Sequence, residues 1–347
     1  MKKTVTTLAD GRELIYYDRR DDVVRDAADE RPLGRVATSS EVRRDALLGD
    51  SVAIASHRQD RTYHPPADAC PLDPSRDGRH TEIPDSDYDV VVFENRFPSL
   101  AGDSGRCEVV CFTSDHDASF ADLDEEQAAL VLDVWTDRTA ELAELPQVEQ
   151  VFPFENRGAE IGVTLAHPHG QIYAYPFVTP RSALMLRSAA EHRAATGRNL
   201  FEDVVARERA DAERVVLESE HWIAYVPYAA HWPYEVHLHP ARRTADLRGL
   251  DDGARAEFPG VYLELLRRFD RIFGPDQPPT PYISAWHQAP LRAAGREEFA
   301  LHLELFTIRR TLGKLKYLAG SESGMGVFIN DVPPEAAAAR LREVASQ

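Results

Sequence analysis

Three cysteines in 347 residues, Cys70, Cys107 and Cys111, are too few and too odd in number to frame a disulfide-stapled fold, and they fit a reducing compartment. Long apolar runs are also missing. No stretch approaches the about 20 residues needed to span a bilayer, and Met1-Lys2-Lys3-Thr4-Val5 is followed by no apolar leader segment. The expectation is a cytoplasmic protein with no membrane partner. Positive charge is in deficit, with 40 Lys and Arg against 58 Asp and Glu, a formal net charge of −18. That balance argues against nucleic acid as a partner, because phosphate backbones are gripped by Lys and Arg. A small phosphorylated ligand remains open, since a few local cations suffice; Arg43, Arg44, Arg58 and Arg61 are candidates. Glycine loops of the GxGxxG or Walker type are absent.

What is present is the composition of an ordered globular chain. Hydrophobic residues make up 43% and charged residues 28%, which leaves no room for a disordered or fibrous class. A weak internal repeat organises it. Val90 to Pro98, Glu108 to Phe112 and Phe120 to Leu123 are echoed by Trp222 to Tyr228, Glu235 to Pro240 and Thr244 to Leu247. The β-branched and aromatic runs read as strands. A helix follows in each copy, with Val131, Val134, Trp135, Leu142 and Leu145 on one face in the first and Tyr262, Leu265, Leu266, Phe269 and Phe273 in the second. Further strands, around 161–178 and 282–308, close each copy. This order predicts an α+β fold of duplicated antiparallel sheet units with flanking helices. The expected divisions are 1–180, a helical connector at 181–215, and 216–347; the polar stretch 19–44 reads as surface loop.

His167-Pro168-His169-Gly170-Gln171 is the sharpest motif. In an extended segment His167, His169 and Gln171 project to one side, with Pro168 stiffening the spacing and Gly170 letting a backbone or a phosphate come close. Two strand histidines alone would be ordinary hydrogen-bonded core residues. Pro and Gly, however, interrupt a strand at a cost in ladder bonds and packing, and that cost calls for a function. A neutral imidazole is a good nucleophile toward an activated phosphoryl centre if a carbonyl holds its other ring nitrogen protonated. Gln171 would donate its amide to the charged phosphate oxygens.

The motif resembles the signature of galactose-1-phosphate uridylyltransferases, the transferase branch of the histidine triad superfamily, with Gln171 in place of the third histidine. The likeness extends over nearly the whole chain, through Ser56-His57-Arg58, Phe93-Glu94-Asn95, Phe154-Glu155-Asn156-Arg157-Gly158, Trp286-His287-Gln288-Ala289-Pro290 and Lys316-Tyr317-Leu318-Ala319-Gly320. It implies a two-step exchange. UDP-glucose uridylylates His169 and releases glucose 1-phosphate, and galactose 1-phosphate then takes the uridylyl group. It also implies that Asn95 contacts uridine, that Arg58 and Arg61 contact phosphates across a homodimer, and that Asn156 and Thr164 contact the uridylyl phosphate. Lys316 and Glu322 would contact the hexose phosphate. Arg96 stands where the family usually has an acidic residue, and Ser321-Glu322-Ser323-Gly324 departs from the usual pattern.

The resemblance further implies a structural zinc held by Cys70, Asp73, His116 and His167, with Asp73 in place of a second cysteine; that harder donor set also admits iron. Some family members carry a second metal on one Glu and three histidines. Here His287 and His302 persist, Glu304 replaces a histidine and Met185 stands near the place of the Glu, so an intact second site is not expected. Two rival functions share the motif: a nucleotide phosphorylase using inorganic phosphate, and a non-catalytic nucleotide-binding protein.

Overall fold

The structure is a computed structural model that describes residues 1–35, 40–60 and 65–346. The chain forms two compact units, one of residues 1–154, 164–183 and 290–293, the other of residues 155–163, 184–289 and 294–347. The helices predicted between the repeats are therefore part of the second unit from Leu184 onward.

In the first unit, β1 (Lys2–Thr7) and β2 (Glu13–Asp18) form a hairpin, and β3 (Glu41–Arg44), at the end of the stretch expected to be surface loop, forms a second one with β4 (Ser51–Ile54). β5 (Val90–Glu94), β6 (Arg106–Cys111), helix α1 (Glu125–Ala143), β7 (Gln150–Arg157) and β8 (His169–Tyr175) follow, and the strand order is β1-β2-β5-β6-β8-β7. β7 covers the Phe-Glu-Asn-Arg segment, which was read as a motif rather than as a strand. Helix α1 starts where Asp124 accepts a hydrogen bond from the Gln127 amide, and it buries Val131, Val134, Trp135 and Leu142. The helix ends before Leu145.

Alternation sorts the residues of this sheet between two layers. Glu108 is fully buried and paired with Arg138 of α1, and Tyr17 donates to Asp137 of the same helix at 2.6 Å. On the other face, Tyr16, Val91, Val109 and Cys111 pack with Cys70, Leu72, Ile83 and Tyr88 in one hydrophobic cluster. The segment carrying Cys70 thus forms a third layer, and it lies on the face that His169 shares.

The second unit contains most of α2 (Pro180–Thr196), then α3 (Leu200–Asp211), β9 (Val215–Glu218), β10 (Trp222–Tyr225), β11 (Val236–Pro240), α4 (Asp252–Arg271), β12 (Tyr282–His287) and β13 (His302–Phe306). A small hairpin of β14 (Arg309–Thr311) and β15 (Lys314–Leu315) precedes α5 (Gly320–Met325) and α6 (Pro334–Glu343). The sheet runs β12-β13-β11-β10-β9. Helix α4 is capped by Asp251 and buries Tyr262, Leu265, Leu266 and Phe269, the predicted face less Phe273. The repeat is now explicit. β5, β6, α1, β7 and β8 correspond in order to β10, β11, α4, β12 and β13, and the spatial orders β5-β6-β8-β7 and β10-β11-β13-β12 agree. The α+β class with an antiparallel sheet and flanking helices is the observed one. Among the described residues, no helix is long and apolar enough to cross a membrane.

Candidate active site

β8 begins at His169, so His167 lies outside the strand and does not share its outward face. This corrects the expectation that His167, His169 and Gln171 project together. The reason is Pro168: having no amide hydrogen, it sits at the strand entrance, and its carbonyl accepts from the Phe112 amide at 3.3 Å. His169 and Gln171 do alternate together, opposite Cys111 and Val109 of β6, on a partly exposed face; Ile172 and Ala174 are buried beneath.

His169 Nδ1 donates to the carbonyl oxygen of His167 at 2.7 Å. That bond fixes the tautomer and leaves the Nε2 lone pair for a ligand. Burial pushes the His169 pKa below the usual histidine range, against the opposing pull of the His167 carbonyl, so the ring is neutral near pH 7. The Gln171 side chain makes no hydrogen bond among the described residues, and its amide is available beside the imidazole. Gly170 has a role other than the one expected. A Cβ there would lie 2.7 Å from Phe112 Cζ and 2.9 Å from the Phe154 carbonyl oxygen, so the missing side chain makes room for β7 and the core, not for a phosphate.

His167 points the other way, into the layer that carries Cys70. Its Nε2 lies 2.9 Å from the Thr113 carbonyl oxygen and 2.8 Å from the Tyr88 hydroxyl, while Nδ1 lies 3.0 Å from Asp73 Oδ1. The same Asp73 oxygen is 2.6 Å from His116 Nδ1, and Asp73 Oδ2 accepts from Arg79 at 2.8 Å. Cys70, Asp73 and His116 each present a ligand atom within 4.8 Å of the others. Burial disfavours charge on Asp73, but Arg79 and His116 outweigh it and hold the carboxyl below its ordinary range. Burial pushes His167 down to about 4, so it is a neutral donor. One sulfur, one carboxylate and two imidazoles fit a tetrahedral zinc. A Nδ1 ligand whose Nε2–H goes to a backbone carbonyl is the usual outer-shell arrangement for a metal-binding histidine.

The residues assigned to substrate are distributed as follows. Arg58 donates to the Phe97 carbonyl at 3.2 Å and to Ser99 Oγ at 2.5 Å, and Ser99 Oγ is 3.1 Å from the hydroxyl of Tyr173, the next outward residue of β8 after Gln171. Arg61 lies outside the described residues. Asn95 Oδ1 accepts from the Phe97 amide at 2.8 Å, closing the turn after β5, and the Arg96 guanidinium lies 5.7 Å from the Phe97 ring centroid. Thr164 is partly buried in the first unit, whereas Asn156 lies on the part of β7 that belongs to the second. Lys316 and Glu322, in the second unit, bond to one another at 2.7 Å, and Lys316 also donates to the Ile329 carbonyl. That amine holds the Glu322 carboxyl down at about 2.

Sequence reasoning missed Tyr88 and Thr113, which brace His167; in the second unit it named His287, His302 and Glu304 without expecting an intact metal site, and it missed Glu235 and His237 beside them. There His287, His302 and Glu304 present ligand atoms within 4.8 Å of one another, as do Glu235, His237 and Glu304. The sequence signals were His237-Leu238-His239 and His302-Leu303-Glu304, two alternating pairs on strands whose adjacency only the fold reveals.

Comparison with known proteins agrees with this geometry. Residues 101–179 match the N-terminal domain family of galactose-1-phosphate uridyl transferase, and residues 185–347 match the C-terminal domain family. A galactose-1-phosphate uridylyltransferase of Streptomyces lividans is 67% identical over 99% of this chain and 98% of its own length. One of Thermotoga maritima is 34% identical over 87% of this chain and 98% of its own. A solved uridylyltransferase structure superposes with a TM-score of 0.76 at 30% identity, covering 88% of this chain and 98% of that one. The chain belongs to the galactose-1-phosphate uridylyltransferase family.

Proposed function

We propose that the chain transfers uridylyl groups between UDP-glucose and galactose 1-phosphate, with His169 as the nucleophile. The observation that carries this reading is the 2.7 Å bond from His169 Nδ1 to the His167 carbonyl, which keeps the proton on Nδ1 and leaves the Nε2 lone pair for an electrophile. In the first half-reaction Nε2 attacks the α-phosphorus of UDP-glucose, the bond to glucose 1-phosphate breaks, and the departing phosphate carries the electron pair without needing a proton. The uridylyl-imidazole keeps its Nδ1 proton. Its positive charge strengthens the bond to the His167 carbonyl, and charge-assisted bonds of this kind contribute about 1.5–3 kcal/mol. In the second half-reaction a phosphate oxygen of galactose 1-phosphate attacks the same phosphorus and His169 leaves. Two inversions give net retention. Gln171 donates to the phosphoryl oxygens on which charge grows.

Zinc at Cys70, Asp73, His116 and His167 would supply rigidity rather than Lewis acidity, with iron as the other metal the donors accept. The ring of His167 is held in the metal layer while its carbonyl aims His169, so one residue couples the two. Arg58, Arg61, Asn95, Asn156, Thr164, Lys316 and Glu322 are assigned to substrate by resemblance. A cytoplasmic homodimer completes the reading, and the exposed Leu47 and Leu48 at the tip of the β3–β4 hairpin support a partner surface.

The test is to incubate the protein with UDP-glucose, measure its intact mass, and challenge the adduct with galactose 1-phosphate or inorganic phosphate. Discharge by galactose 1-phosphate supports the proposal. Discharge by phosphate alone indicates a phosphorylase, and no adduct with any nucleotide sugar indicates a binding protein.

A further inference from the structure

Helix α3, the end of β11 and the residues just before β13 line a cavity of about 250 Å³ within the second unit. Spacing explains its helical wall: Phe201, Val205 and Arg209 recur every four residues and so fall along one stripe of α3. Pro240 and Leu301 extend the apolar lining, and His239 supplies a buried polar edge. That edge is set by a row of rings. His287 of β12, His302 of β13, His239 of β11 and Tyr225 of β10 lie nearly parallel across four neighbouring strands, with centroids 5.0, 4.9 and 5.5 Å apart. His239 stands inside the row, so one face of its ring meets His302 and the other meets Tyr225.

The polar groups of the lining are donors with spare capacity. His239 Nε2 lies 3.1 Å from the Tyr225 hydroxyl, and among the described residues neither side chain has another hydrogen-bond partner. Tyr225 is 1% exposed, so its hydroxyl proton has only Nε2 to go to. In the neutral and the protonated ring alike, Nδ1 is then a donor. His239 is itself 5% exposed, and a buried donor without an acceptor is costly. Arg243 also lines the cavity; it donates from Nε to Glu202 at 3.0 Å and from Nη1 to the carbonyls of Glu297 and Phe299, which leaves Nη2 without a partner among the described residues. Arg209 spends only Nε, on Glu218 at 2.6 Å. Glu202 is the one acidic side chain of the lining, and its pair with Arg243 is exposed, hence weak. In a chain of net charge −18, two arginines against one glutamate is a local excess of positive charge.

We propose that this cavity is a binding site for a small organic carboxylate with an apolar body. The hydrocarbon packs against Phe201, Val205 and Leu301, and the carboxylate accepts from His239 Nδ1 and faces the guanidinium groups of Arg209 and Arg243, whose charge offsets the cost of burying an anion. Size limits the occupant to about one ring: a cavity of about 150 Å³ already admits benzene, whereas drug-sized ligands occupy about 300–1,000 Å³. An inorganic anion would leave the apolar walls unfilled, and a sugar would turn hydroxyls onto them without acceptors. The site lies outside the proposed chemistry of His169, so either reading can fail without the other.

The test is titration calorimetry of the full chain with benzoate, with benzamide and inorganic phosphate as comparison ligands. One benzoate per chain is expected. Benzamide has the same shape without the charge, and phosphate has the charge without the hydrocarbon; each should bind at least about tenfold more weakly. Val205→Trp fills the cavity from the half-buried face of α3 and removes no donor, so it should abolish binding. His239→Phe keeps a ring in the row but loses Nδ1–H, and it and Arg243→Gln should each weaken binding by about tenfold or more. Far-ultraviolet circular dichroism checks that the variants fold; should His239→Phe fail to, Val205→Trp and Arg243→Gln still decide. No binding of benzoate by the wild type, or undiminished binding by Val205→Trp, overturns the site. Benzamide binding as tightly as benzoate overturns the carboxylate, phosphate binding as tightly overturns the apolar body, and unaltered affinity in the folded donor variants overturns the assigned donors.

Discussion

Replacing Gly170 by Ala isolates packing from chemistry. Gly170 does not have a positive φ, so alanine suits its backbone; the conflict is one of space. The new Cβ would sit 2.7 Å from Phe112 Cζ, where carbon contacts are normally about 3.5–4.0 Å, so roughly 1 Å must be found. Phe112 cannot supply it. The ring is fully buried and sits edge-on to Phe120 at 5.0 Å and to Trp135 at 6.1 Å between centroids. The other neighbour, the Phe154 carbonyl oxygen at 2.9 Å, belongs to the backbone of β7. Overpacking of this kind costs about 1–3 kcal/mol, and with two immovable neighbours we expect roughly 2–3. At about 2–4 °C per kcal/mol, Tm should fall by about 4–12 °C. β8 must move to relieve the clash, carrying His169 with it, and a nucleophile displaced by a fraction of an ångström loses about 10- to 100-fold in rate. A thermal melt and a single-turnover uridylylation assay measure the two effects. A variant that melts and reacts like the wild type would refute the packing argument.

Three further predictions follow from buried groups. Glu108 is fully buried between Arg138, at 2.7 Å, and Arg106, at 2.7 Å, so Glu108→Ala should cost about 3–5 kcal/mol in urea unfolding, and adding Arg138→Met should recover much of that; equal damage in single and double variants would contradict it. Burial raises the Glu155 carboxyl to about 7, so folding favours its protonated form: the stabilisation is complete below about pH 4.5 and is lost as pH rises through about 7, a few kcal/mol in all. The urea midpoint should drop from pH 5 to pH 8 in the wild type and drop less in Glu155→Gln; equal slopes would remove Glu155 from the account. Asp73→Ala should release the metal on dialysis and Asp73→Cys should retain zinc more tightly, as read by elemental analysis; equal retention by all three proteins would mean that Asp73 is not a ligand.

Much of the fold was legible in the sequence because it is periodic. The two helix faces and the paired Val- and Trp-led strands repeat at matching positions, and local patterning is enough to reveal them. β7 was harder, since Phe154-Glu155-Asn156-Arg157 carries polar residues that drew attention as a motif, while its strand character comes from neighbours distant in sequence. His169 and Gln171 could be read from alternation, but the turn of His167 away from them depends on Pro168 and on Asp73, Tyr88 and Thr113, all far from it in the chain. Gly170 was legible as a close approach, though not what approaches. Least visible was the place of His237, which becomes a neighbour of Glu304 only when β11 pairs with β13, a register no local spacing encodes.

The central claim is that Nε2 of His169 carries the uridylyl group. Rapid quenching after mixing with UDP-glucose, followed by peptide mapping, tests it most directly. The account predicts one uridylyl group per chain on the peptide containing His169, formed as fast as glucose 1-phosphate appears and absent from His169→Ala. A uridylyl group on another residue, or normal exchange of hexose phosphates by His169→Ala, would contradict it.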